Sequence, residues 1–335
     1  MTRLAAIFGC EGPALGSEAA AFFRDARPWG FILFGRNVET PDQVRRLVAD
    51  LRETVGGAPV LIDQEGGRVQ RLKPPHWPKY PPGAAYGALP GPAARREIAR
   101  LGGRLIAHDL LALGVDVDCA PVLDVPTPGA HDVVGDRAYG RTPEIVAELG
   151  RAFAEGLLAG GVLPVLKHMP GHGRAHVDSH LQLPVVEASR RELARDFAPF
   201  RANADLPAAM TAHVVYPAID PTAPATTSRA VIQEAIRGDV GFDGLLMTDD
   251  LSMKALSGDF ASRARDALAA GCDLILHCNG DLAEMRAVAA GAGPLARRSQ
   301  GRADAALARI ASGDESFDVE AARTTFAAAF PGTAH

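Results

Sequence analysis

The sequence predicts an α/β protein built as a single (β/α)8 barrel of the TIM type. Three observations carry that expectation. Eight short β-forming runs alternate with amphipathic segments along nearly the whole chain. Most of these runs are apolar throughout, the pattern of strands covered on both faces. No glycine-rich dinucleotide fingerprint follows the first run, which argues against a doubly wound sheet.

The runs are Leu4–Gly9, Phe31–Phe34, Val60–Asp63, Val115–Ala120, Leu163–Lys167, Ala208–His213, Leu245–Thr248 and Leu274–His277. The first lies in a segment charged early and interrupted by Glu11, so it reads as a strand and not as a signal peptide. Helix starts stand between the runs. Thr40-Pro-Asp-Gln43 reads as a capping box with proline at the first helical position, and Ser189-Arg-Arg-Glu192 as a second box. Thr142 and Ser228 are further N-cap candidates. From Asp259 onward the chain is rich in alanine and arginine and reads as closing helices. The proline-rich stretch Lys73–Pro82 is too short for a domain and reads as an ordered loop. No linker divides the chain, so residues 1–335 are expected to form one catalytic barrel.

With 335 residues, 47% hydrophobic and 22% charged, the chain can bury a barrel core without disulfides or metals. A net charge of -5 offers no basic face to nucleic acid or to an anionic membrane. No apolar run approaches the length of a membrane span. Cys10, Cys119, Cys272 and Cys278 form no Cys-x-x-Cys pair, and three lie in or beside apolar runs. They read as buried free thiols, which suits a reducing compartment. A soluble cytoplasmic protein with no nucleic-acid or membrane partner is expected.

Barrel active sites form where strands end. The third run leads into Asp63-Gln-Glu-Gly-Gly-Arg-Val-Gln-Arg71, where two glycines accompany Asp63, Glu65, Arg68 and Arg71. The fourth leads through Asp124 to a loop carrying Gly135-Asp-Arg137. The fifth ends in Lys167-His168-Met-Pro-Gly-His172-Gly-Arg-Ala-His176-Val-Asp178-Ser-His180. The sixth ends in Thr211-Ala-His213 and the seventh in Thr248-Asp249-Asp250. One or two such residues could simply cap helices; Asp250, just before Leu-Ser-Met-Lys, reads as an N-cap. Charged clusters at five successive strand ends are costly to bury unless paired or used, so together they read as a pocket. His168, His172, His176 and His180 are spaced four apart, which on a helix would make a metal stripe. Pro170, Gly171 and Gly173 break such a helix, so the segment reads as a loop with no metal. Within it Asp178 can orient His180 and raise its basicity, although His–carboxylate pairs are often only structural.

At these residues the chain resembles the bacterial β-N-acetylhexosaminidases of glycoside hydrolase family 3, the peptidoglycan-recycling type. The resemblance runs from Gly30-Phe-Ile-Leu-Phe-Gly-Arg-Asn37 to Ala270-Gly-Cys-Asp-Leu-Ile-Leu276. Its specific motifs are Asp63 to Arg71, Lys167-His-Met-Pro-Gly-His-Gly173 with Asp178-Ser-His180, and Thr248-Asp-Asp-Leu-Ser-Met253. Met169 stands where an aromatic is expected and Thr248 where serine is usual.

The resemblance implies Asp249 as nucleophile, His180 as acid/base and Asp178 as its partner. It implies Asp63, Arg71, Arg137, Lys167 and His168 as sugar-binding residues. The implied reaction is retaining hydrolysis of terminal β-linked N-acetylglucosamine from (anhydro)muropeptides through a glycosyl-aspartate, with no metal or organic cofactor. Arg71, Arg137 and Lys167 could instead be spent on ion pairs with neighbouring carboxylates. A phosphorylase on the same scaffold stays open, because a histidine tolerates an incoming phosphate better than a carboxylate would. A metal-dependent barrel hydrolase and a non-catalytic sugar-binding barrel are the remaining alternatives.

Overall fold

The computed structural model describes residues 2–179, 181–310 and 316–331. Strands β1 (Leu4–Phe8), β2 (Pro28–Leu33) and β3 (Val60–Ile62) are followed by a hairpin, β4 (Gln64–Gly66) and β5 (Val69–Gln70). Then come β6 (Val117–Asp118), β7 (Leu163–Met169), β8 (Ala208–Thr211), β9 (Leu245–Asp250) and β10 (Leu274–His277). All except the hairpin close into one barrel in chain order, with β10 returning to β1. Every neighbouring pair in the barrel is parallel. The predicted α/β barrel is therefore the observed architecture.

Residues alternate between two cores, as strand geometry requires. Ala5 and Ile7 of β1, Leu163 and Val165 of β7, and Leu245 and Met247 of β9 fill the barrel interior. Ala6 and Phe8, Leu166, and Leu246 pack outward against the helices. Both faces of each strand are buried, which is why the runs lack polar alternation. The next interior positions along β3, β7 and β9 are Asp63, Lys167 and Asp249, where the packed interior gives way to a pocket.

The outer layer comprises α1 (Ser17–Ala26), α2 (Pro41–Val55), α3 (Gly83–Ala88), α4 (Pro92–Leu111), α5 (Pro143–Ala159), α6 (Arg190–Arg201), α7 (Phe260–Ala270), α8 (Leu282–Ala292), α9 (Arg297–Leu307) and α10 (Val319–Ala329). Residues Val231–Asp239 wind as a π-helix between β8 and β9. Helices α4 and α5 touch backbone to backbone. A Cβ on Gly103 would come within 2.2 Å of the Phe153 carbonyl oxygen, and one on Gly156 within 2.0 Å of that of Arg100. Helix α10 is tied to α4 by Arg323, which donates to Asp109 at 2.6 Å, while Tyr80 donates to the same carboxylate at 2.6 Å.

Four of the five capping signals hold, one of them with a shift. Ser189 and Glu192 form a reciprocal box at the start of α6. Thr142 caps α5, and the Ser228 hydroxyl accepts from Val231 N at 3.1 Å. Thr40 caps α2, but the Gln43 side chain accepts from Glu39 N and not from Thr40 N, so that box closes one residue early. The expected N-cap at Asp250 is not a helix cap. Residues 251–256 form turns, and α7 starts at Phe260 under Asp259. Asp250 instead accepts from Ser252 N at 3.0 Å and from Cys278 N at 3.1 Å, tying its own turn to the end of β10. All four cysteines are buried free thiols.

Candidate active site

The β4–β5 hairpin, unforeseen in the sequence, carries Asp63 to Arg71 over the barrel mouth. Gln64 fastens it: its backbone N donates to Asp118 Oδ1 at 2.9 Å, and its side-chain oxygen accepts from Arg71 N and Leu72 N at 2.9 and 3.0 Å. Asp118 is fully buried, and burial pushes its carboxyl up to about 8. The hairpin thus rests on a carboxyl that stays largely protonated at neutral pH.

Above that support lies a network of opposite charges. Lys167 Nζ sits 2.8 Å from Asp63 and 2.6 Å from Glu65. Arg71 donates to Asp63 at 2.9 Å, and Arg137 grips Glu65 through two bonds of 2.8 Å. Burial alone would raise both carboxyls, but their cations outweigh it. Lys167 and Arg71 hold Asp63 well below the ordinary range, and Arg137 with Lys167 brings Glu65 down to about 2. Burial alone would lower Lys167; Asp63 and Glu65 raise it well above its usual value. The Arg71 guanidinium also lies 5.2 Å over the Phe34 ring. Arg71, Arg137 and Lys167 are therefore paired with carboxylates and still line the pocket. A wall of paired charges, rich in hydrogen-bonding groups, suits sugar hydroxyls.

A further part of the lining is built on Asp124, fully buried after β6, the strand between β3 and β7. It accepts from His168 Nδ1 at 2.7 Å and from the backbone N of His168 and His172 at 3.3 and 2.6 Å. Burial opposes its charge, yet His168 and His172 keep its pKa below normal. Because a carboxylate only accepts, His168 Nδ1 carries a proton. Asp249, at the end of β9, lines the same pocket, and its Oδ1 accepts from Asp250 N at 2.8 Å. His213 is fully buried and supports this strand end. Its Nε2 donates to the Asp250 carbonyl at 2.9 Å and its Nδ1 meets the Thr226 hydroxyl at 2.7 Å. Burial lowers its pKa, so it is a neutral prop.

Of the residues singled out by sequence, Asp63, Arg71, Arg137, Lys167, His168 and Asp249 converge on one pocket. Asp178 lines an adjoining groove that shares Val69, Val133 and Arg137 with that pocket. His180 lies outside the described residues. Arg68 does not join the pocket; it ties down the loop before Arg137, donating to Val133 O at 3.0 Å and pairing with Asp136 at 3.2 Å. His176 faces outward and bonds Gly129 O at 3.0 Å. Among the described residues, no group of three or more His, Cys, Asp or Glu side chains is placed to hold a metal ion. Sequence reasoning undervalued Glu65, Asp124 and His172. All three stood among the strand-end residues, but nothing local showed that Asp124 would gather its two histidines, which lie more than forty residues away. Among the described residues, no helix is long and apolar enough to cross a membrane.

Comparison with known proteins agrees with this geometry. The profile of the glycosyl hydrolase family 3 N-terminal domain matches residues 15–312. The chain is similar to a β-hexosaminidase from Methylococcus capsulatus, 42% identical over 278 residues that span 82% of each chain. It is equally similar to a β-hexosaminidase from Pseudomonas aeruginosa, 42% identical over 283 residues and 83% of each chain. NagZ from Neisseria gonorrhoeae, solved with N-trifluoroacetyl-D-glucosamine, superposes with a TM-score of 0.89 at 33% identity over 98% of both chains. With a fold, a pocket and relatives that agree along most of its length, the chain belongs to glycoside hydrolase family 3, among its bacterial β-N-acetylhexosaminidases, and is a glycoside hydrolase.

Proposed function

We propose that the protein is a retaining β-N-acetylhexosaminidase that removes terminal, non-reducing β-linked N-acetylglucosamine from muropeptides and anhydro-muropeptides during cell-wall recycling in the cytoplasm. The observation that carries the reading is Asp249, the last interior position of β9, facing a pocket walled by Asp63, Lys167 and His168. A relative that binds an N-acylated glucosamine supports the sugar class, and four buried free thiols suit a reducing compartment. We take residues 1–335 as one catalytic domain.

In this reading Asp63, Arg71, Arg137, Lys167 and His168 hold the sugar. The Asp249 carboxylate attacks the anomeric carbon while protonated His180 gives its proton to the leaving oxygen, and the glycosidic bond breaks. His180, now neutral, takes a proton from water, whose oxygen displaces the aspartate and frees the sugar. Asp178 orients the imidazole, whose ordinary pKa near 6.5 lets it serve in both directions at neutral pH. Where most retaining glycosidases use a second carboxylate, this chain would use a histidine.

The test is NMR of the first sugar formed from a β-N-acetylglucosaminide and from an anhydro-muropeptide, run with and without inorganic phosphate. The β-anomer of free N-acetylglucosamine is expected in both buffers. Initial α-sugar would refute the double displacement, and a sugar phosphate would make the enzyme a phosphorylase.

A further inference from the structure

The loop after β7 has a firmly held root. Tyr216 OH donates to Gly171 O at 2.7 Å, and a Cβ on Gly173 would collide with Val125 O at 2.0 Å. Backbone bonds run from Thr127 N to Gly173 O at 3.1 Å and from His131 N to Ala175 O at 2.8 Å. Asp178 comes later, where the loop turns back toward the pocket. Its neighbour Ser179 is only 3% exposed and lines the pocket. The Ser179 hydroxyl lies 3.2 Å from His172 Nε2, and the His172 ring is itself 4% exposed. The backbone of His172 is fixed in turn by Asp124, which also holds the His168 ring.

We propose that His172 is a positioning residue: through Ser179 it latches the Asp178–Ser179 turn, from which the chain runs on to His180, onto the wall that binds the sugar. The inference rests on the acid/base reading of that segment. Asp124 is the hub, because one carboxylate sets both the sugar-binding His168 and the root of the latch. Burial holds the His172 ring at a pKa of about 4, so it stays neutral in the working range and does not compete with His180 for the catalytic proton. His172 and Ser179 are seven positions apart in the chain, so their bond closes the loop on itself and limits how far its tip can wander. Catalysis is sensitive to such limits, since a misplacement of about 1 Å can cost roughly 100-fold in rate.

The test uses Ser179→Ala, His172→Ala, His172→Gln and the Ser179/His172 double alanine variant, on the full chain. For each, kcat/KM is measured on aryl β-N-acetylglucosaminides of rising leaving-group pKa and on one disaccharide, beside wild type and His180→Ala. Ser179→Ala removes a single oxygen, so it tests the latch even where His172→Ala folds poorly. Expected are losses of about 10-fold on the disaccharide, smaller losses on nitrophenyl substrates, partial recovery in His172→Gln, and a double variant no worse than either single one. Equal losses on all substrates, or additive losses in the double variant, would overturn the latch while leaving the acid/base reading intact. If His180→Ala itself shows no steeper dependence on the leaving group, that reading falls and the latch falls with it.

Discussion

Replacing Lys167 with methionine keeps the chain length and removes only the ammonium. In the native pocket that group lies between two buried carboxylates, 2.8 Å from Asp63 and 2.6 Å from Glu65. Asp63 keeps Arg71 and Glu65 keeps Arg137, so neither is left bare. Both nonetheless lose a cation that holds them ionised. Breaking a buried pair in this way costs about 3–5 kcal/mol. At about 2.1 cal/mol/K per residue, 335 residues turn that loss into a drop in Tm of roughly 4–7 °C. The pH dependence identifies the cause. Glu65 has a folded pKa of about 2, below its unfolded value, so its stabilisation is present above about pH 4.3 and fades as pH falls toward 2. In Lys167→Met the carboxyls take up protons more readily, so the difference from wild type should be largest at neutral pH and shrink below about pH 4. Urea unfolding followed through the buried Trp29 and Trp77 at several pH values measures it. A difference below about 1 kcal/mol, or one that is flat with pH, would refute the charge network as the pocket's support.

Asp249→Ala should lose several orders of magnitude in activity and keep its fold, while Asp250→Ala should keep most activity and cost about 1 kcal/mol from the lost Ser252 and Cys278 bonds; the reverse ranking in kinetics and melts would exchange their roles. His180→Ala should steepen the dependence of kcat/KM on leaving-group pKa, and Asp178→Ala should give a weaker version; an unchanged slope in both would mean another residue supplies the proton. Asp118→Asn should separate from wild type with pH. The Asp118 folded pKa of about 8 exceeds its unfolded value near 3.9, so its favourable contribution is complete below about pH 4 and is lost as pH rises toward 8. The Asn variant lacks that loss and should gain relative to wild type by at most about 1.4 kcal/mol per pH unit across the window; a gap in urea stability that does not move with pH would show the carboxyl ionised throughout.

Much of this molecule is written locally. Strands buried on both faces must be apolar at every position, and helix starts need oxygen side chains to satisfy free N–H groups, so β1 to β3 and β6 to β10 and the caps at Thr142 and Ser189 could be read directly. Strand parity even separates the two aspartates of β9. Leu245, Met247 and Asp249 fall on one face, and Asp250 falls on the other. What the sequence could not determine is which charges meet. Lys167 reaches Glu65 and Asp63 across more than a hundred residues of chain. Asp124 collects His168 and His172 from the neighbouring strand end, and Asp118 is held protonated by burial under the hairpin. Asp250 looked like a helix cap because its local pattern fits one, yet barrel closure puts Cys278 N within its reach and the chain turns there instead. Local propensities act over a few residues. Ion pairs, burial and pKa values depend on what barrel closure brings within about 3 Å, and that distance exists only in the folded chain.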